Sequence, residues 1–117
     1  MSQIPKHFQL EPEHHGDTVV VRLGGEFDVA AEEHFDRVVE RMTAEAKTIV
    51  LDLSELSFID STGLRALLRA WKRSQEDGGS LAIVPGDGQV RNTMRLTGAD
   101  EVLPLVAELP LTAPGSA

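Results

Sequence analysis

Short apolar runs alternate with helical stripes along this chain, and that alternation constrains its fold more than any other feature. β-Branched and aliphatic residues fill positions 18–23, 48–53 and 81–84, which is typical of short strands buried in a sheet. Between the runs, apolar residues recur at the i, i+3, i+4, i+7 spacing of a helix: Phe35, Val38, Val39 and Met42, then Leu64, Leu67, Leu68 and Trp71. The alternation predicts an α/β domain with a small mixed sheet of about four or five strands packed against three or more helices.

Capping and turn residues place the element boundaries. Asp28 is an N-cap for a first helix over 29–46, and the second helix is predicted from Ser61 to residue 75, before Gly78-Gly79. A third helix follows Val90 and ends at Gly98.

The strand boundaries depend on weaker signals. Phe8 and Leu10 hint at an edge strand, and Gly24-Gly25 ends the first clear run. Residues 54–57 have the composition of a turn, and Val102-Leu103 is predicted as a last short strand. A single domain is expected over 1–107, followed by a flexible tail over 108–117 that contains two prolines.

Composition excludes several classes of protein. The 117 residues include 11 basic and 19 acidic side chains, and all of the net charge of −8 arises before Ser61. An acidic protein repels nucleic-acid phosphate and anionic lipid, so neither nucleic acid nor a membrane is an expected partner. Without cysteine there is no disulfide or thiolate nucleophile. No signal peptide or spanning segment is evident, which predicts a cytoplasmic protein.

The sequence offers no catalytic residues, metal site or cofactor site. Ser61 lacks the Gly-x-Ser-x-Gly context of a hydrolase nucleophile, and all four histidines precede it. His14-His15 has no third ligand at usable spacing. The glycine pairs lack the Lys-Ser/Thr that follows a phosphate-binding loop, so they are predicted to form turns.

Asp60-Ser61-Thr62-Gly63-Leu64 lies where a strand-like segment meets an amphipathic helix. One interpretation is simple capping, in which Asp60 or Ser61 accepts from backbone N–H groups. The other is a switch: a phosphoryl group on Ser61 would bring about −1.5 to −2 charge to free N–H donors and the positive end of the helix dipole. Spacing alone leaves both interpretations open.

At these residues the sequence resembles the STAS-domain anti-sigma-factor antagonists of bacteria. Gly25-Glu26-Phe27-Asp28 resembles a family segment ahead of the first helix, and residues 58–64 resemble the phosphorylation-site signature. Gly78-Gly79-Ser80-Leu81 and Leu96-Thr97-Gly98 are similar to further family positions in the same order.

This resemblance implies a binding switch rather than an enzyme. The unmodified domain would bind an anti-sigma factor that is also a serine kinase, and phosphorylation of Ser61 would release it. A metal-dependent serine phosphatase would reset the switch, and the chain would need no cofactor. Asp28 and Asp60 would line the site, while Thr62 and Gly63 hold the loop.

The sequence departs from the family pattern in three places. Arg65 stands where the family usually has a small residue. It is a solvated cation on the helix, pairs with a phosphate on Ser61, or changes which partner docks, and the sequence leaves all three open. Ala99 replaces a common leucine, and a Pro-containing tail replaces a final helix.

Two alternative functions stay open. One is a non-switching scaffold or accessory subunit of a stressosome-like or lipid-transport assembly, and the other is a small hydrolase that uses Ser61. Monomer and dimer both stay open.

Overall fold

The computed structural model describes residues 6–109 and contains a four-stranded sheet in the order β1-β2-β3-β4. The strands are β1 (Phe8–His15), β2 (Thr18–Phe27), β3 (Thr48–Ile59) and β4 (Ser80–Val84). The helices are α1 (Glu32–Glu45), α2 (Ser61–Glu76) and α3 (Gln89–Thr97). The edge strand β1 is antiparallel to β2, whereas β2, β3 and β4 are parallel. The predicted α/β fold with a mixed sheet is confirmed.

One face of the sheet carries the main core. Alternate residues of the central strands point to this face, where the buried residues of all three α-helices join them. The predicted stripe of α1 is buried as expected: Phe35, Val38, Val39 and Met42. A smaller cluster on the other face contains Val20, Val50 and Val84, against which Val106 and Leu109 pack. The predicted tail beyond Leu109 lies outside the described residues.

The two central strands are longer than predicted. Gly24-Gly25 does not end β2, because the strand continues to Phe27 through register shifts on either side of the glycines. Residues 54–57 are not a turn, since β3 continues to Ile59 along β2. β4 stops opposite Asp52, so the extension of β3 pairs on one side only, and polar residues there face solvent.

The predicted core stripe of α2 is displaced by about one position. Its buried residues are mostly small: Gly63, Ala66, Leu67, Ala70 and Ser74. Leu64, Leu68 and Trp71 are only partly buried and pack at the margin of the core. Small residues allow the helix backbone to approach the sheet closely, which leaves the large side chains to cover its flanks.

The predicted strand at Val102-Leu103 is wrong. A 3-10 turn (Ala99–Glu101) follows α3, and only Leu105 then forms a single parallel bridge, to Ile83 of β4. Pro104 has no N–H to donate to a ladder, and pairing is limited to its carbonyl and the N–H of Val106. Within residues 6–109, no helix has the length and apolar character needed to cross a membrane.

Candidate functional site

The carboxyl ends of β2 and β3 lie side by side and bring two aspartates together. Phe27 and Ile59 are paired as the last residues of these parallel strands. Asp28 and Asp60 follow directly, and the N–H of Asp60 donates to the carbonyl of Phe27 at 3.3 Å. Sequence positions 32 residues apart therefore meet at one edge of the sheet.

Each aspartate caps the helical segment that follows it. In extended backbone, Asp28 Oδ1 accepts from the N–H of Ala30 at 3.1 Å, at the start of a 3-10 turn (Val29–Ala31). Asp60 Oδ1 accepts from the N–H groups of Thr62 at 2.9 Å and Gly63 at 3.1 Å. The capping interpretation is thus confirmed for both aspartates, and the expectation of free donors at the start of α2 is wrong for Thr62 and Gly63.

Gly63 allows α2 to begin directly against the strand ends. A Cβ at this position would lie 2.6 Å from Ile59 Cγ1 and 2.9 Å from the carbonyl oxygen of Phe27. Such distances are well inside van der Waals contact, so a larger residue would push the helix away. The helix start, and with it Ser61, is fixed by this close approach.

Ser61 is exposed at the first position of α2, next to the half-buried Thr62. Its hydroxyl forms no hydrogen bond with any residue in the part of the chain that the structure describes. All four histidines lie in that part, and none of them hydrogen-bonds to Ser61. The site accordingly lacks the serine–histidine contact on which the hydrolase alternative depends.

His7 is a site residue that the sequence analysis missed. Its Nε2 lies 3.0 Å from Asp28 Oδ1, and this contact, with help from the amides of Ala30 and Ala31, lowers the pKa of the Asp28 carboxyl against the opposing effect of burial. Gly25 makes the contact feasible: it has a φ of +86°, and a Cβ there would overlap the carbonyl of His7. Twenty-one residues separate His7 from Asp28, and no local pattern links them.

The same corner contains one group of side chains that could hold a cation. Ligand atoms of His7, Glu26 and Asp28 lie within 4.8 Å of one another. However, Asp28 Oδ1 is already engaged by His7 and by the Ala30 amide. These contacts explain the arrangement without a metal ion.

Gln89 is a second site residue without a sequence signal. Its side-chain carbonyl accepts from the N–H of Ile59 at 3.2 Å, one residue before Asp60. This bond replaces the ladder partner that β4 is too short to supply. The start of α3 therefore supports the end of β3, two residues before Ser61.

Exposed apolar side chains occur close in sequence to both aspartates, and an apolar cavity opens beside Ser61. Val29, which is 70% exposed, directly follows Asp28, and Phe58, which is 40% exposed, lies two residues before Asp60. Beside Ser61, a cavity of about 300 Å³ opens between α2 and the corner after α3. Its lining is Ser61, Leu64, Arg65, Leu68, Thr97, Gly98, Ala99, Val102 and Leu103. Exposed apolar groups around a polar centre are typical of a protein-binding surface.

The chain is thus a small α/β domain that presents an exposed serine where a parallel strand meets a capped helix. The profile of the STAS domain family matches residues 9–110, and the chain belongs to this family. The predicted membership is thereby confirmed.

Individual relatives agree with this assignment. The anti-sigma F factor antagonist of Paenibacillus polymyxa is 31% identical over 103 residues, which cover 85% of this chain and 86% of that protein. The crystal structure of an anti-sigma factor antagonist from Mycobacterium paratuberculosis has a similar fold, with a TM-score of 0.78, 24% identity and 92% of each chain covered.

The anti-sigma factor antagonist SpoIIAA has been solved in two forms. Its unphosphorylated form has a TM-score of 0.68 and 27% identity to this chain, covering 86% of this chain and 89% of SpoIIAA. The phosphorylated form from Bacillus has a TM-score of 0.64 and 26% identity, with 86% and 92% covered.

Proposed function

We propose that this protein is an anti-sigma-factor antagonist whose binding is switched by phosphorylation of Ser61. The observation that carries the proposal is the exposed Ser61 hydroxyl, which forms no hydrogen bond among residues 6–109 and lies at the junction of β3 and α2 that Asp60 and Gly63 fix. The relatives named as antagonists support binding to an anti-sigma factor, and the phosphorylated form of SpoIIAA supports modification as the switch.

In the unphosphorylated state, the surface around Ser61 binds an anti-sigma factor that is also a serine kinase. Val29 and Phe58 supply apolar contact area, and Ser61 lies between elements that are rigidly capped. Burying exposed apolar surface favours such a complex, and the gain that exceeds the loss of translational and rotational freedom appears as affinity.

Phosphorylation changes the charge of this surface. The kinase transfers the γ-phosphoryl group of ATP to Ser61 Oγ, which loses its proton, and ADP leaves. The product carries about −1.5 to −2 charge beside Asp60 and near Asp28. A docked partner would have to desolvate this charge, so the complex dissociates. A metal-dependent serine phosphatase hydrolyses the ester and restores binding.

The decisive experiment is incubation with the cognate kinase and labelled ATP. The wild-type chain should incorporate label and Ser61→Ala should not, whereas label that persists in the Ser61→Ala, Thr62→Ala double variant would refute the proposal. Ser61→Asp should bind the unlabelled partner at least about tenfold more weakly, which corresponds to roughly 1.4 kcal/mol. A stable large assembly that contains no kinase would favour the scaffold alternative.

A docking test uses exposed residues so that folding is unaffected. Val29→Ser and Phe58→Ser should each weaken partner binding several-fold. Ala44→Ser, an exposed change at the opposite end of α1, is the matched control and should leave affinity unchanged. Equal affinities for all three variants would place the interface elsewhere.

A further inference from the structure

The three backbone N–H groups that follow Ser61 in the first turn of α2 are occupied. The carboxylate of Asp60 accepts from Thr62 and Gly63, and the carbonyl of Asp60 accepts from Leu64 at 3.0 Å. A phosphate on Ser61 would therefore find these three amides engaged, and the group engaging two of them is itself negative. The phosphate therefore depends on a side-chain cation for its stabilisation.

The four cations of α2 differ in their engagement. Arg69 donates to Glu32 at 2.6 Å and to Asp36 at 3.0 Å, which ties α2 to α1. Arg73 lies 3.3 Å from Glu40. Two cations, Arg65 and Lys72, form no ion pair within residues 6–109.

Of these two, only Arg65 is close to Ser61. It lies one helical turn further along α2, and both residues line the cavity beside α2. Side chains on a helix lean toward its N-terminus, which directs Arg65 to the Ser61 end. Lys72 is eleven residues from Ser61, or roughly 16 Å along the helix axis.

The cavity wall strengthens an ion pair formed at its mouth. Leu64, Leu68, Val102 and Leu103 give this cavity a predominantly apolar lining. Apolar walls lower the local dielectric, so opposite charges attract more strongly there than in open water. A guanidinium can also donate two parallel hydrogen bonds to one phosphate.

We propose that Arg65 is the intramolecular partner of a phosphate on Ser61 and holds it at the mouth of this cavity. The proposal rests on the proposed function, because it requires phosphoserine at position 61. Asp28 and Asp60, with Asp100 and Glu101 of the neighbouring 3-10 turn, oppose the dianion. Arg65 offsets this repulsion and keeps the phosphate in one orientation.

The test needs neither kinase nor partner. Phosphoserine is introduced at position 61 of the full chain by genetic encoding, and the second ionisation of the phosphate is followed by ³¹P NMR in the wild type, Arg65→Gln and Lys72→Gln. Loss of the Arg65 pair should raise the second pKa by about half a pH unit. Lys72→Gln removes the same charge beyond the Debye length of about 8 Å at physiological salt, and should shift the pKa by much less.

A third variant separates charge from geometry. Arg65→Lys keeps the cation and loses the paired donors, so its phosphate pKa should fall between those of the wild type and Arg65→Gln. Equal pKa shifts for Arg65→Gln and Lys72→Gln would overturn the Arg65 proposal. That result would leave the switch itself intact if the kinase still labels Ser61, whereas absence of labelling would refute the switch and not the ion pair. Thermal unfolding of the unphosphorylated variants checks that each one is folded.

Discussion

The backbone N–H of Ile59 donates a hydrogen bond to the side-chain carbonyl of Gln89, over a distance of 3.2 Å. The Gln89 amide group in turn donates to Thr93 Oγ at 2.8 Å, which fixes its orientation on α3. Since Ile59 is followed by Asp60 and Ser61, the first residue of α3 supports the segment that carries the proposed switch.

Removing this support should loosen the end of β3. Gln89→Ala leaves the Ile59 N–H without its acceptor, at a cost of about 1 kcal/mol. Hydrogen exchange of the Ile59 amide should accelerate about fivefold relative to the wild type. Gln89→Glu keeps an acceptor and is the matched control, so equally fast exchange in both variants would contradict the assigned role.

Two substitutions distinguish the contribution of the Asp60 capping hydrogen bonds to stability from that of the Asp60 charge. Asp60→Ala removes the acceptor for Thr62 and Gly63 and should lower the unfolding free energy by about 1 kcal/mol. For a domain of this size the melting temperature should fall by about 4 °C. Asp60→Asn retains a capping oxygen and should preserve most of the stability. A large loss in Asp60→Asn as well would show that charge, not capping, is what matters.

The sign of the change in unfolding free energy caused by Gly63→Ala shows whether helix propensity or steric overlap dominates at this position. Helix propensity alone predicts that Gly63→Ala stabilises α2 by up to about 1 kcal/mol. The overlap with Ile59 and the Phe27 carbonyl instead predicts a net loss of about 1–3 kcal/mol. Urea unfolding measures the difference. Gly24→Ala is the control, because a Cβ there would meet only the end of the Gln9 side chain, at 3.1 Å.

The contact between His7 and Asp28 predicts a dependence of stability on pH. Because the pKa of Asp28 is lowered in the folded protein, first by the His7 hydrogen bond, its contribution is present above the ordinary carboxyl pKa near 4 and is lost as the pH falls through the lower, folded value. The Asp28 side chain is about one-third exposed, so solvent screening limits the effect to less than about 1 kcal/mol.

Urea unfolding of Asp28→Asn at pH 7 and pH 3 checks this expectation. The variant keeps a capping oxygen and loses only the charge. Its unfolding free energy should therefore fall further below that of the wild type at pH 7 than at pH 3. His7→Ala should add little in the Asp28→Asn background. An equal deficit at both pH values would show that the carboxylate charge contributes nothing.

Arg69 should stabilise the pairing of α1 with α2. It contacts two carboxylates on α1, and Arg69→Gln should cost about 1 kcal/mol at low salt and less at high salt. Lys72→Gln, on the same helix and without an ion pair among the described residues, should have little effect. Chemical unfolding at two ionic strengths measures both variants, and equal costs would argue against the ion-pair network.

Much of the fold follows from local spacing. The stripe of α1 and the capping positions Asp28 and Asp60 can be predicted because a helix and its N-cap depend on neighbouring residues. The buried stripe of α2 is displaced from the predicted one, and residues 54–57 belong to β3 rather than to a turn, because both features depend on distant partners. β2 supports the extension of β3, and the strand ends select small residues on the buried face of α2.

Residue order and spacing are enough to predict the α/β alternation and the strand–helix junction at Asp60-Ser61, and they give the acidic first half of the chain. The contact of His7 with Asp28 and the support of Ile59 by Gln89 appear only once the chain is folded, as does the pairing of Arg69, and among the described residues not of Arg65, with α1. Spacing along the chain specifies backbone conformation. Contacts between residues 20 to 40 positions apart instead depend on how strands pair and helices pack, which no local pattern records.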